Sequence, residues 1–306
     1  MLILYTNTII LYIDLSIILY IDLSTYRFYI FIDLLHFKKE QILPIIISIL
    51  NHKGGVGKTT LAHNISAGLA KLEKNTLLID LDLQSNLTIS VLGLNDNRKN
   101  ISDLFVGEEV NINNLIYNTD DKYLSIVPSS EMMALAEPSL NNRIGKEFVL
   151  RNAIKTPNID KYDFVIIDCP PHLSTITLNA LFASDFYIVP LRTDVFSIHG
   201  FKILNTVVTD VNKIFINTLN AKKIELLGYI VNAYDSRTSM AIDTVNLLKD
   251  MYKEKVFNTN IRVNANFSRC PALKQSIFDI ERNGKGSEDI LLLINEIFTR
   301  IENNGK

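Results

Sequence analysis

The segment Lys53-Gly54-Gly55-Val56-Gly57-Lys58-Thr59-Thr60 constrains this chain more than any other. It follows a short β-branched run, Ile45 to Leu50, that reads as a buried strand. It precedes Thr59 to Leu72, where apolar residues recur at helical spacing. Strand, glycine loop and helix in that order make a cradle for phosphate. Gly54, Gly55 and Gly57 permit backbone torsions and a close approach that a Cβ would block. The loop amides and the N-terminus of the next helix aim donors at phosphate oxygens. Lys58 brings a positive charge to the β and γ phosphates, and Thr59 offers a hydroxyl to Mg2+. The ordinary spacing of such loops would place a glycine at position 52, but His52 stands there and Lys53 precedes the glycine pair.

Beyond the loop, apolar runs alternate with helical periods. Thr76 to Leu81, Leu124 to Val127, Phe164 to Ile167, Phe186 to Leu191 and Leu226 to Val231 read as strands. Helical stretches fall near Lys146–Lys155, Ser174–Ala183, Ile198–Ile214, Met240–Tyr252 and Ser287–Glu302. Fully apolar strands separated by helices predict an α/β fold, a mostly parallel twisted sheet with helices on both faces. No Pro, Gly or Ser linker divides residues 44–306, so they read as a single P-loop NTPase domain. Asn95 to Asn100 and Asn111 to Lys122 read as polar surface connections.

Residues 1–43 do not fit this pattern. Ile9 to Ser16 is repeated without change as Ile17 to Ser24. Asp14, Asp22, Arg27 and Asp33 interrupt the apolar stretch, leaving no uncharged run of the ~18–20 residues a membrane span needs. Three readings stand: translated upstream sequence with a misassigned start, a β-prone extension, or a membrane-associating segment. No methionine occurs between Met1 and Met132, which counts against the first.

The net charge is −2, so any nucleic-acid contact needs a local patch. Between Arg237 and Lys274, seven basic residues face three acidic ones. That excess suits a DNA-facing patch and equally suits ordinary solvated helix faces. The two cysteines, Cys169 and Cys270, form no metal-ligand pattern and fit a reducing compartment.

Two acidic motifs follow the loop. Leu77-Leu78-Ile79-Asp80-Leu81-Asp82-Leu83-Gln84 ends an apolar strand with two carboxylates, and Phe164 to Asp168, followed by Cys169-Pro170-Pro171, ends another with one. Strand ends of open α/β sheets are where ligands bind.

With Lys53 ahead of the glycines and these acids in this order, the chain resembles the ParA/MinD superfamily of deviant Walker A ATPases, over roughly residues 45 to 302. It looks most like the small ParA type that lacks a helix-turn-helix domain. The resemblance implies ATP and Mg2+ as ligands, and an ATP-sandwich homodimer in which Lys53 reaches the partner's phosphates. It implies that Asp82 orients the attacking water, that Asp80 supports the metal region, and that Asp168 holds Mg2+ through water. Leu83 replaces the family's proline. Asn232, ending Tyr229-Ile230-Val231-Asn232, corresponds to an adenine-contacting residue. Arg237, within Asp235-Ser236-Arg237-Thr238-Ser239, corresponds to a DNA contact. A further DNA-contacting arginine of relatives is Asn266 here, flanked by Arg262 and Arg269, which could compensate. The implied function is DNA partition: nonspecific duplex binding in the ATP state and hydrolysis stimulated by a ParB-like partner, in a cytoplasmic, nucleoid-associated protein. The alternatives are a MinD-like membrane-cycling regulator, whose C-terminal targeting helix is not seen after Glu302, and a positioning ATPase for another cargo.

Overall fold

The computed structural model describes residues 2–5, 8–14, 17–22, 27–32, 43–94, 97–107, 110–156, 158–193 and 198–304. Asn95 and Asp96, in one of the connections read as polar, lie outside the described residues, as do residues 33–42 of the N-terminal extension. The chain divides into two units, Met1–Ile42 and Leu43–Lys306. In the first, Leu2–Tyr5, Thr8–Asp14, Ile17–Asp22 and Arg27–Ile32 pair antiparallel in sequence order. The two identical octapeptides supply the middle pair, with Leu11 opposite Leu19.

The second unit is built on eight strands: β1 (Ile45–Ile49), β2 (Thr76–Asp80), β3 (Tyr117–Asn118), β4 (Leu124–Val127), β5 (Phe164–Asp168), β6 (Phe186–Arg192), β7 (Glu225–Tyr234) and β8 (Val256–Arg262). They lie in the order β8-β7-β6-β1-β5-β2-β4-β3. All run parallel except the two-residue edge strand β3. From β1 the chain builds outward through β2 and β4, returns to insert β5, then crosses β1 to build the other side. That reversal opens a crevice at the C-terminal ends of the central strands.

The longer helices are α1 (Lys58–Lys71), α2 (Thr175–Ala183), α3 (Ile198–Asn217), α4 (Ser239–Tyr252), α5 (Ala265–Leu273) and α6 (Lys285–Asn304). Among the described residues no helix is long and apolar enough to cross a membrane. The strands read as continuous apolar runs because both faces are buried. Alternate residues serve different cores: Phe164 and Ile166 pack in the core that holds Leu61 of α1 and Leu293 of α6, while Val165 and Ile167 pack in the core that holds Leu181 of α2 and Leu204 of α3.

Three elements depart from the sequence reading. Residues 146–155 open with a 3-10 turn, Lys146–Phe148, and are α-helical only over Val149–Ile154, because Gly145 enters in the left-handed region at φ 69°. The connection 111–122 is not wholly surface: Ile112 and Leu115 are buried in a 3-10 turn, and Tyr117–Asn118 pairs with β4. Strand β8 is the third. Its centre, Asn258-Thr259-Asn260, is polar because this is the sheet's edge. Two of its amides, Asn258 and Thr259, donate to the Glu296 carboxylate of α6 at 2.9 and 3.0 Å.

Gly68, midway along α1, allows α6 to approach closely. A Cβ there would lie 2.4 Å from Ile294 Cδ1 and 3.1 Å from the Phe278 ring. Gly68→Val is therefore expected to lower the unfolding free energy by about 1–3 kcal/mol in a urea titration, overpacking outweighing the better helix residue.

Candidate phosphate-binding site

The loop 51–57 leaves β1 and enters α1 through Gly57, whose φ of 95° is left-handed. A Cβ at Gly57 would fall 1.9 Å from Asn232 Nδ2. That amide, at the end of β7, donates to the Val56 carbonyl at 2.9 Å and so closes the loop against the sheet. Asn51 anchors the other end: its Nδ2 donates to the Pro190 carbonyl at 2.7 Å and its Oδ1 accepts the Lys53 amide at 3.0 Å.

The N-terminus of α1 carries no capping side chain and no acid in its first turn. Side chains fill this role at some other helices, Ser174 at α2 and Asn264 at α5, while α4 is uncapped like α1. The first amides of α1 are thus left to a ligand, and the helix dipole favours an anion. Lys58 is buried and bends back to donate to the Lys53 carbonyl at 3.1 Å. Burial lowers its pKa, opposed by the nearby Asp168, Cys169 and Asp82. An incoming phosphate would replace a backbone carbonyl with a full negative charge as its partner.

Asp80 and Asp168 end neighbouring strands in direct register, and both are fully buried. Their surroundings differ. Asp80 accepts three hydrogen bonds, from the Asp82 amide at 3.0 Å, the Thr88 amide at 2.9 Å and the Thr88 hydroxyl at 2.7 Å. Burial nevertheless pushes its carboxyl up to about 6. Asp168 has no well-formed hydrogen bond to either oxygen. Burial, then Asp80, hold its pKa well above the usual carboxylate range, against the opposing pull of Thr59 and Lys58. An orphaned buried carboxylate beside a hydroxyl is a hard oxygen donor set suited to a small divalent cation. Among the described residues no cluster of three His, Cys, Asp or Glu could hold a metal unaided.

Asp82 lies in the loop after β2, half-buried, with its Oδ1 accepting the Gln84 amide at 3.0 Å. Gly54, Gly55 and Val56 lie in the loop before α1, and Thr59 and Thr60 in the first turn of that helix. Burial pushes the Cys169 thiol up, which leaves it unreactive beside the site. Of the other candidates, Arg237 follows β7, Arg262 ends β8, and Arg269 lies on α5, which packs against the helix Asn86–Leu92. Arg237 is exposed and forms a two-pronged pair with Asp235, at 2.8 Å for each prong. Arg262 is held by Asp289 and Glu288 of α6 and by the Lys285 carbonyl. Arg269 is exposed and donates to Asn266 at 3.1 Å.

Three contributors escaped the sequence reading. Asn51 stands just outside the glycine pattern. Thr88 sits in a short helix, Asn86–Leu92, with no local motif. Arg192, at the end of β6, reaches toward the Gly55 carbonyl at 3.5 Å, and only its place at the end of an apolar run hinted at it.

The sequence profile of a family described as an AAA domain matches residues 45–222. The chromosome partitioning protein ParA of Myxococcus xanthus is 35% identical over 83% of this chain and 88% of its own length. The sporulation initiation inhibitor protein Soj of Bacillus subtilis is 34% identical over 82% and 97%. A plasmid partition protein of Borrelia burgdorferi bound to AMPPNP superposes with a TM-score of 0.70 at 26% identity, over 84% of this chain and 99% of its own. Cobyrinic acid a,c-diamide synthase of Mycobacterium smegmatis, with an ATP analogue and magnesium, gives 0.72 at 29% identity, over 83% and 93%.

The orphaned acid has a measurable cost. An unfolded aspartate ionises near 3.8, whereas folded Asp168 does so well above that. Its contribution to stability is intact below the unfolded value and lost as pH rises toward the folded one. Ligand-free Asp168→Asn is therefore expected to be more stable than the parent, by a margin that widens as the pH is raised from about 4 in urea titrations. A constant margin would show that the carboxylate is better solvated than its burial indicates.

Proposed function

The chain belongs to the ParA/Soj family of partition ATPases, and from that premise we propose that it hydrolyses ATP with Mg2+ and uses the ATP-bound state to segregate DNA. One observation carries the nucleotide part: an uncapped helix N-terminus, with a buried lysine, faces a buried aspartate that has no hydrogen-bond partner. Residues Gly54 to Thr60 cradle the phosphates, with Lys58 on the β and γ groups. Asp168 and Thr59 hold the cation, and Asp80 supports that region from the neighbouring strand. Magnesium, when bound, neutralises charge that gathers on the phosphate oxygens. Asp82 orients the attacking water. Asn232, whose Nδ2 is taken by Val56, meets adenine through its carbonyl oxygen, an acceptor for the base's amino group.

Lys53, half-buried beside the exposed Gly54 and Gly55, reaches the phosphates of a second copy in an ATP-sandwich dimer. The dimer binds duplex DNA without sequence preference through the basic surface around Arg237, Arg262 and Arg269. The three arginines differ in availability. Asp235 holds Arg237 only at the surface, where such a pair is weak and phosphate can displace it. Arg262 is tied by two carboxylates, one of them buried, so its charge is already neutralised and it is the least available of the three to a phosphate. A ParB-like activator then stimulates hydrolysis and release, in the cytoplasm and on the nucleoid.

The test is binding to nonspecific duplex DNA with ATP, with ADP and without nucleotide. Binding should require ATP and weaken about 40-fold between about 50 and about 200 mM salt if three phosphates are contacted. Arg237→Glu should lose most of that affinity and keep its affinity for ATP. ATP binding without DNA binding in the parent protein, together with ATP-dependent attachment to anionic vesicles, would replace this reading with a membrane-cycling one.

A further inference from the structure

The carboxylate of Asp82 projects from a loop that is held by its neighbours. The Asp82 amide donates to Asp80 Oδ1 at 3.0 Å. The other oxygen of Asp80 takes both the amide and the hydroxyl of Thr88, at 2.9 and 2.7 Å. The Thr88 hydroxyl in turn accepts the Ser129 amide at 2.8 Å, from the segment just beyond β4. Thr88 and Ser129 are buried along with Asp80, so water does not compete for these bonds.

The direction of this chain is fixed by its ends. A backbone amide only donates, so Ser129 occupies a lone pair on the Thr88 oxygen. The single hydroxyl proton must then go to Asp80. Each bond polarises the next, which strengthens a buried series of this kind. The loop 81–87 is thereby pinned at its start by β2 and at its end by a residue 41 positions ahead of its partner. Leu83, where a proline would stiffen the loop, supplies no such restraint of its own.

We propose that Thr88 is the positioning residue that, acting through Asp80, holds Asp82 where it orients the water that attacks the γ-phosphate. This rests on the reading of Asp82 as the residue that orients water. Thr88 is buried and acts through Asp80. It makes the Asp82 backbone a fixed point, and a displacement of about 1 Å at such a point costs on the order of a hundredfold in rate.

The experiment compares Thr88→Val, Thr88→Ala, Thr88→Ser and Asp82→Ala in the full chain. Two readings are taken: ATP turnover with its KM, and hydrogen–deuterium exchange of the 81–88 segment without nucleotide. Thr88→Val and Thr88→Ala should lose about 10- to 100-fold in kcat with KM within about twofold of the parent. The 81–88 amides should exchange faster in both. Thr88→Ser, which keeps the hydroxyl, should restore turnover to within about threefold and restore protection. Parent-like kcat in the valine and alanine variants, with Asp82→Ala inactive, would overturn the role of Thr88 alone. Parent-like turnover in Asp82→Ala would overturn the reading of Asp82 and the Thr88 proposal with it. A loss carried by KM, a serine variant as slow as valine, or failure of both hydroxyl-free variants to fold would make Thr88 a structural residue and end the proposal.

Discussion

The left-handed turn at Gly57, with the Asn232 amide lodged where a side chain would be, is the contact on which the site depends. It does two things at once. It turns the chain sharply enough for α1 to start at the crevice with its amides uncapped, and it ties the loop to β7, two strands away from β1. Asn51 does the same for β6 through the Pro190 carbonyl. The loop is therefore held by β6 and β7 and not only by the strand that leads into it. A cradle with that much support arrives pre-shaped, so little of its binding energy is spent on ordering.

The two buried aspartates divide the remaining labour by how their charge is satisfied. Asp80 is saturated by hydrogen bonds from its own loop and so acts on backbone geometry. Asp168, one strand over and equally buried, is left unsatisfied, which is unfavourable until a cation approaches. The same residue type in adjacent register thus becomes a strut in one place and a receptor in the other. The difference comes from Thr88, which sits near one acid and not the other.

Much of this was legible in the residues. Buried parallel strands must be apolar on both faces, so β1, β2, β5 and β6 announced themselves as unbroken runs, and the glycine loop stood between a strand and a helix as its chemistry requires. Strand β8 was hidden because an edge strand buries less, and Asn258-Thr259-Asn260 interrupts its apolar pattern. Ile112 and Leu115 were hidden among asparagines, since two anchors spaced three apart make no recognisable period. Thr88 was invisible for a deeper reason. Its hydroxyl is fixed by Ser129 while it donates to Asp80, and a contact across 41 residues leaves no local trace. The basic patch read as a count of charges, whereas Arg237 and Arg262 differ in which carboxylates hold them.

The Glu296 carboxylate on β8 has a consequence for how molecules of this kind can crowd together. An open sheet edge with free amides invites a strand from another chain, and slow accretion of that sort ends in aggregates. Here two of those amides are already answered by a side chain of the same molecule, and the opposite edge is a strand only two residues long. Neither border of the sheet offers a long template for a stranger. Copies of the unit Leu43–Lys306 gathered at high local density can therefore meet through helical and loop faces without this sheet's borders offering a long backbone template.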